Sequence, residues 1–304
     1  GTTLRKRLVQ AQSADIGLHV SGLFGMTRAV DLYAPAVTED RRNAQWLATG
    51  EKSWVTLSRY ARRLRSHLEV KVRLYTQLIA RLRNDYPDTF LTLAADGEVE
   101  LSSAGYDDAK PYEQQVLADY SPFAVAEFRD WIRNTGLYAP GGPYEAQGRA
   151  ASGTKYRSGD DAADLVAFNT DFGVGFGSWE LRYFNWDLSD SVNVDPNAIG
   201  PAETGASGFT PLPTSSPPYI AGGFDAPRTW NAGSPAFWQL WLQFRETLVS
   251  NYVRDVSGWI ATTAPPEGRS LPPDRVYTYQ IPSDYYLGTY PGCPNPERRY
   301  LTSA

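Results

Sequence analysis

Residues 90–101 read FLTLAADGEVEL, an apolar run that opens directly into a cluster of carboxylates. The run from Phe90 to Ala95 is short and uninterrupted, which is typical of a buried strand in a parallel sheet. Gly97 lets the backbone bend where the strand ends, and ligands of such sheets bind beyond the carboxyl ends of the strands. The sequence therefore places its chemistry at the end of this strand. The carboxylates gathered there are Asp96, Glu98 and Glu100.

These three carboxylates are the strongest chemical signal in the chain. If the strand pattern continues, they share one face, and repulsion between like charges favours keeping at least one of them protonated. A general acid must hold a proton at neutral pH, and we choose Glu98 for that role. A solvated turn after a strand also favours acidic residues and glycine, so that interpretation stays open.

The residues on the amino-terminal side predict a helix, a strand and a longer helix. Leu4 to Gln12 carries apolar residues at helical spacing, and Ile16 to Val20 alternates as a strand does, before a loop to about Gly50. From Trp54 to Asn84, apolar residues recur at three- and four-residue steps. This spacing predicts a long helix that ends ahead of Pro87.

The residues on the carboxyl-terminal side predict two capped helices and a strand around an irregular stretch. Serine followed by proline, at 121–122 and again at 234–235, is an N-cap signal, and Gly136 is the expected stop of the first helix. Between these helices only residues 176–186 suggest a strand or hairpin arm. Residues 275–281 alternate as a strand.

This alternation of helices and strands predicts an α/β fold with a parallel sheet. Both a (β/α)8 TIM barrel and an open doubly wound sheet fit, but no strand leads into a G-x-G-x-x-G or Walker-type loop. We therefore expect a barrel, and one that is an incomplete portion, since the chain starts at Gly1 and has too few strands. Three parts are expected: 1–136 with the acidic cluster, 137–233 as a ligand-binding insertion rich in aromatics, Gly and Pro, and 234–304 with a barrel helix and strand.

Composition excludes several classes of protein. With 42% hydrophobic and 21% charged residues in 304, the chain is expected to fold, and its apolar stretches are too short to cross a membrane. A net charge of −5 disfavours nucleic acid as a partner. One cysteine and two histidines leave no internal disulfide and little material for a metal site, so we expect neither metal nor cofactor.

Aromatic residues are unusually frequent, with 9 Trp, 19 Tyr and 12 Phe. Flat side chains with polar tips suit the apolar faces and hydroxyls of sugars, although packing under long loops explains any single one about as well. We select stacking and hydrogen-bonding candidates from strands and from aromatic loops. The candidates for substrate binding are His19, Trp46, Tyr106, Trp186, Gln280 and Asp284, with Trp179, Tyr285 and Tyr286 as further platforms.

Three segments together resemble the middle portion of a clan A (β/α)8 glycoside hydrolase of the retaining β-galactosidase type. They are FLTLAADGEVEL at 90–101, DYSPFAVAEFRDWIR at 119–133, and RVYTYQIP at 275–282 after a Trp-rich helix. The resemblance covers roughly half of the chain and implies a barrel, retaining hydrolysis by two carboxylates, and Glu98 as acid/base at the end of the fourth strand. The family usually has Asn before this glutamate, where Gly97 stands here, as in the β-amylase type.

The position of the second catalytic carboxylate is open. The family has its nucleophile on the seventh strand, and if 275–281 is the fifth, that strand lies outside this chain. The sequence is then a fragment, or a companion chain or second copy supplies the residue. Otherwise the second carboxylate is internal, with Asp284, Glu180 and Asp187 as candidates.

The leading function is therefore a glycosidase acting on a carbohydrate. The alternative is a noncatalytic carbohydrate-binding or assembly subunit derived from a barrel enzyme, and a weaker one is a hydrolase or lyase that uses the acidic cluster with a divalent ion. The excess of Arg over Lys suggests a bacterial source. The sequence predicts a soluble protein and leaves its compartment open, including secretion or the periplasm.

Overall fold

A computed structural model describes residues 2–21, 44–46, 52–58, 60–86, 91–97, 119–149, 154–182, 221–227, 234–263 and 276–279. The α-helices in these ranges are α1 (Thr2–Ser13), α2 (Arg62–Asp85), α3 (Pro122–Arg133), α4 (Asp161–Phe172) and α5 (Pro235–Thr262). The strands are β1 (Leu18–Ser21), β2 (Ala44–Trp46), β3 (Lys52–Leu57), β4 (Leu91–Gly97), β5 (Ser178–Leu181), β6 (Gly223–Phe224) and β7 (Val276–Tyr279).

A three-stranded parallel sheet organises the chain, with the order β1-β4-β7. Helix α2 precedes β4 and α5 precedes β7, while α5 packs against both of these strands and against α2. The three strands predicted from their apolar patterns are thus confirmed in position, and they pair in parallel. Closure into an eight-stranded barrel, whole or partial, stays a prediction, because only these three strands of the sheet lie in the described ranges.

Helix α2 is shorter than the sequence predicts. Residues 52–57 form β3, which pairs antiparallel with β2, and the helix begins only at Arg62. The prediction of helix from Trp54 is wrong for these residues, since Val55 and Thr56 are β-branched and favour a strand. The prediction of a continuous loop to Gly50 also misses β2. The carboxyl end is as expected, with the last helical residue just before Tyr86 and Pro87.

The two serine-proline signals are confirmed as helix starts. Ser121 accepts a hydrogen bond from the Ala124 amide, and Ser234 accepts one from the Phe237 amide. At its other end, α3 stops at Asn134, which adopts a left-handed conformation with φ of 51°. Asparagine tolerates this conformation, so the helix ends two residues before the expected Gly136.

The stretch expected to be irregular contains a helix. Asp160 caps α4 by accepting hydrogen bonds from the amides of Ala162 and Ala163, and Gly173 ends it with φ of 61°. The predicted strand or hairpin arm at 176–186 is confirmed as a strand in β5. Its partner β6 runs parallel to it, so these two strands are not a hairpin.

Aromatic side chains build the core of this part of the chain. Phe128 and Phe168 are fully buried and lie at the centre of a cluster of rings whose centroids are 4.8–6.5 Å apart. Trp179, a candidate sugar platform, is buried here and donates its indole N–H to the Asp161 carbonyl. The aromatic richness of these residues therefore reflects packing. Other rings of the cluster are Trp131, Phe172, Phe176, Phe224, Phe237, Trp241 and Phe244.

Candidate functional site

The carboxyl ends of β4 and β7 lie side by side. Gly97, the last residue of β4, pairs with Tyr279, the last residue of β7. Asp96 is therefore on the strand end that the sequence predicts, and Glu98 follows Gly97 directly in the chain. Gln280 follows Tyr279 in the same way. The strand register thus brings Asp96 and Tyr279 to the same edge of the sheet, while the placement of Glu98, Glu100 and Gln280 stays a prediction.

A β-bulge precedes this edge. Between the pairs Ala94–Tyr277 and Gly97–Tyr279, β4 advances three residues while β7 advances two, so β4 carries one extra residue there. Bulges bend a strand, re-aim its side chains, and are frequent at barrel rims and beside active sites. This bulge falls on Ala95 and on Asp96, the first residue of the acidic cluster.

His19 lies away from this edge. It pairs with Thr92, four residues before Asp96 on the neighbouring strand. At 3.3 Å per residue of a parallel strand, the two levels differ by about 13 Å along the strand. His19 is therefore well separated from Asp96 along the sheet, and its role in substrate binding stays a prediction.

The described part of the chain does not bring the remaining candidate residues together at this edge of the sheet. Trp46 ends β2, in the two-stranded sheet with β3. Glu180, an alternative second carboxylate, is an exposed residue of β5. The other candidates fall outside the described residues. They are Glu98, Glu100, Tyr106, Trp186, Asp187, Gln280, Asp284, Tyr285 and Tyr286.

A buried ionic network, which the sequence analysis did not anticipate, joins α2, α3 and α5. Arg65 donates to Glu127 at 3.3 Å and also to Asp255 and the hydroxyl of Tyr144. Tyr144 in turn donates to Asp255. The Arg65 side chain is 14% exposed, and those of Glu127 and Asp255 are 6% and 18% exposed. All three helices are thus tied together by one guanidinium.

The electrostatics of this network are stabilising rather than catalytic. Burial alone lowers the pKa of Arg65, but Glu127, Tyr144 and Asp255 outweigh it and raise that pKa. Burial raises the pKa of Tyr144, and its hydrogen bond to Asp255 raises it further, while Arg65 lowers it. Both carboxylates already accept hydrogen bonds from Arg65, so neither is set up to protonate a leaving group.

A second buried polar group ties β3 to the start of α3. The Ser58 hydroxyl donates to Asp119, which also accepts from the Ser121 amide at 2.7 Å. The two serine hydroxyls lie 3.1 Å apart, and the Tyr60 amide donates to Ser58. A serine nucleophile requires a general base and a route for substrate, whereas Ser58 is fully buried. This group therefore caps a helix rather than forming a nucleophilic site.

Comparison of the chain with protein-family models, with curated proteins and with solved structures found no match. No helix in the described ranges is long and apolar enough to span a membrane. Within those same ranges, no three His, Cys, Asp or Glu residues come together as metal ligands. The functional argument therefore rests on the sheet edge at the end of β4.

Proposed function

We propose that the protein is a glycoside hydrolase in which Glu98 is the general acid/base. The observation that carries this proposal is the pairing of Gly97 with Tyr279, directly after a bulge at Ala95 and Asp96. It supports an edge, formed by the carboxyl ends of two parallel strands, at which the acidic cluster begins. In a parallel α/β sheet, and in the barrel that we propose here, this is the edge where catalytic groups lie.

The proposed reaction is retaining hydrolysis. The Glu98 carboxyl group protonates the glycosidic oxygen as its bond to the anomeric carbon breaks, and a second carboxylate forms the glycosyl-enzyme. The Glu98 carboxylate then removes a proton from the water that releases the sugar. A retaining pair requires about 5–5.5 Å between the two carboxyl groups and an inverting pair about 6.5–9.5 Å. Gln280 is proposed to orient the substrate from the end of β7.

Replacing Glu98 by Gln tests this role directly. We expect aryl β-galactosides with poor leaving groups to lose about 10²–10⁴-fold in kcat/KM, because they need the proton in the transition state. Dinitrophenyl glycosides should lose much less, because their leaving group departs without protonation. Glu69→Gln, a matched change on α2, should keep full activity. Equal losses for both leaving groups, or an unchanged rate in Glu98→Gln, would contradict the assignment.

The alternative function, a noncatalytic carbohydrate-binding or assembly subunit, gives a different outcome in the same experiment. The wild-type chain would then bind glycans without hydrolysing them, and Glu98→Gln would bind equally well. Loss of hydrolysis on treatment with a chelator would instead favour the metal-dependent hydrolase or lyase.

A further inference from the structure

Helix α5 carries a buried guanidinium that pairs with no described residue. Arg245 is 1% exposed, and its three guanidinium nitrogens have no hydrogen-bond partner in the described part of the chain. The hydroxyl of Tyr60, also 1% exposed, has no such partner there either. Two kinds of donor are thus enclosed without an acceptor among the described residues.

An isolated guanidinium is costly in a protein interior. Arginine stays protonated in proteins, so Arg245 cannot relieve the cost by losing its proton. Burial of an unpaired charge costs several kcal/mol. The ring of Trp241, 5.9 Å from the Arg245 guanidinium carbon, offsets only a part of this through a cation–π contact.

Tyr60 and Arg245 belong to one neighbourhood of the core. The ring of Tyr60 stacks on Phe244, the residue before Arg245, with the centroids 5.5 Å apart. Burial raises the pKa of Tyr60, nearby acidic groups raise it further, and the charge of Arg245 acts in the opposite direction. The stacked ring of Tyr60 therefore places this residue beside the segment of α5 that carries Arg245.

We propose that Arg245 and Tyr60 bind a small monoanion, and that this anion is chloride. The donors are almost completely enclosed, which favours a monatomic ion over a sugar acid or a nucleotide. A single negative charge balances the one unpaired positive charge. This proposal does not depend on the proposed glycosidase activity.

The bound chloride would lie beside the helix that packs against the sheet. Tyr60 lies just ahead of α2, and Arg245 lies in α5, the helix that packs against both β4 and β7. An anion held between these two residues neutralises α5 where it meets Tyr60. We therefore expect chloride to stabilise the folded state by mass action, raising the folding equilibrium constant about 100-fold at 100 times its Kd.

Thermal unfolding in chloride and gluconate mixtures at constant ionic strength tests the proposal. In the wild-type chain, Tm should rise and saturate with chloride concentration, bromide should replace chloride, and gluconate should not. Arg245→Met should lose this saturable response. Arg254→Met, an exposed arginine of the same helix, should keep it. A wild-type Tm that does not depend on which anion is present, or a full response in Arg245→Met, would overturn the proposal.

A second variant and a direct measurement cover the case in which Arg245→Met does not fold. Tyr60→Phe keeps the ring stacked on Phe244 and removes one donor, so its chloride midpoint should rise severalfold. Chloride-35 NMR should show broadening by the wild-type protein that bromide competes away. A wild-type midpoint in Tyr60→Phe, or no broadening, would refute chloride binding at this place. A rise in Tm with gluconate that disappears in Arg245→Met would refute the inference that the site accepts a monatomic ion and excludes larger anions.

Discussion

Replacing Arg65 by Met should destabilise the fold by about 3–5 kcal/mol, the range found when one partner of a buried ion pair is removed. The side chains of Glu127 and Asp255, 6% and 18% exposed, would then lose the guanidinium that pairs with both of them. The hydroxyl of Tyr144 still donates to Asp255, and that of Tyr138 lies 3.5 Å from Glu127. These neutral donors cannot balance two charges, so most of the loss should remain.

Urea unfolding followed by circular dichroism measures this loss, and two further variants isolate its cause. Arg65→Met combined with Glu127→Gln removes one of the stranded charges, so we expect it to recover about 1–2 kcal/mol. Arg5→Met breaks an exposed ion pair with Asp85 and should cost less than about 1 kcal/mol. The reasoning is refuted if Arg65→Met loses no more stability than Arg5→Met, or if the double variant is less stable than Arg65→Met alone.

Two other predictions concern alkaline stability and helix capping. Burial raises the pKa of Tyr60 and Tyr138 in the fold, whereas the unfolded chain ionises near pH 10, so the unfolded state binds fewer protons and stability should fall as pH rises above 10. Each tyrosine should lower the free energy of unfolding by roughly 1.4 kcal/mol per pH unit, as measured by urea unfolding at pH 10–12. Tyr138→Phe should remove the contribution of one tyrosine, and an unchanged slope would contradict the assignment. Asp160→Ala should cost about 1 kcal/mol, since its carboxylate caps α4, and Asp160→Asn should recover most of it in the same assay; equal losses would argue against capping.

The elements that could be predicted are those coded by neighbouring residues. Ser121 with Pro122, and Ser234 with Pro235, begin helices because the serine oxygen and the proline ring act within one turn. The apolar run after Phe90 predicted β4 because such uninterrupted runs are typical of strands in parallel sheets. Helix α4 was missed because its apolar positions lie in a stretch dominated by Gly, Pro and Ser.

The buried network could not be predicted, because its partners are distant in the chain. Arg65 meets Glu127 and Asp255 across 62 and 190 residues. In the sequence, Arg65 belongs to a basic run that fits a solvated helix face equally well. Periodicity shows which side of a helix is apolar, but it does not show which charge will be enclosed by a third helix.

The sheet edge could be predicted only in part. The ends of β4 and β7 follow from their own sequences, so the approach of Asp96 to the end of β7 could be predicted. The bulge at Ala95 and Asp96 depends on the register with β7, which neither strand encodes alone. The level of His19 likewise depends on how far β4 extends beyond β1.

The pairing of β4 with β7 has a consequence for the order of folding. Roughly 180 residues separate the two strands, and closing so long a loop carries a large entropic cost before any contact repays it. The aromatic cluster of α3, α4, β5 and the start of α5 lies inside this loop and forms from closer contacts. Once that cluster is packed, the length of flexible chain between β4 and β7 is much shorter. We therefore expect the middle of the chain to fold before β4 and β7 pair.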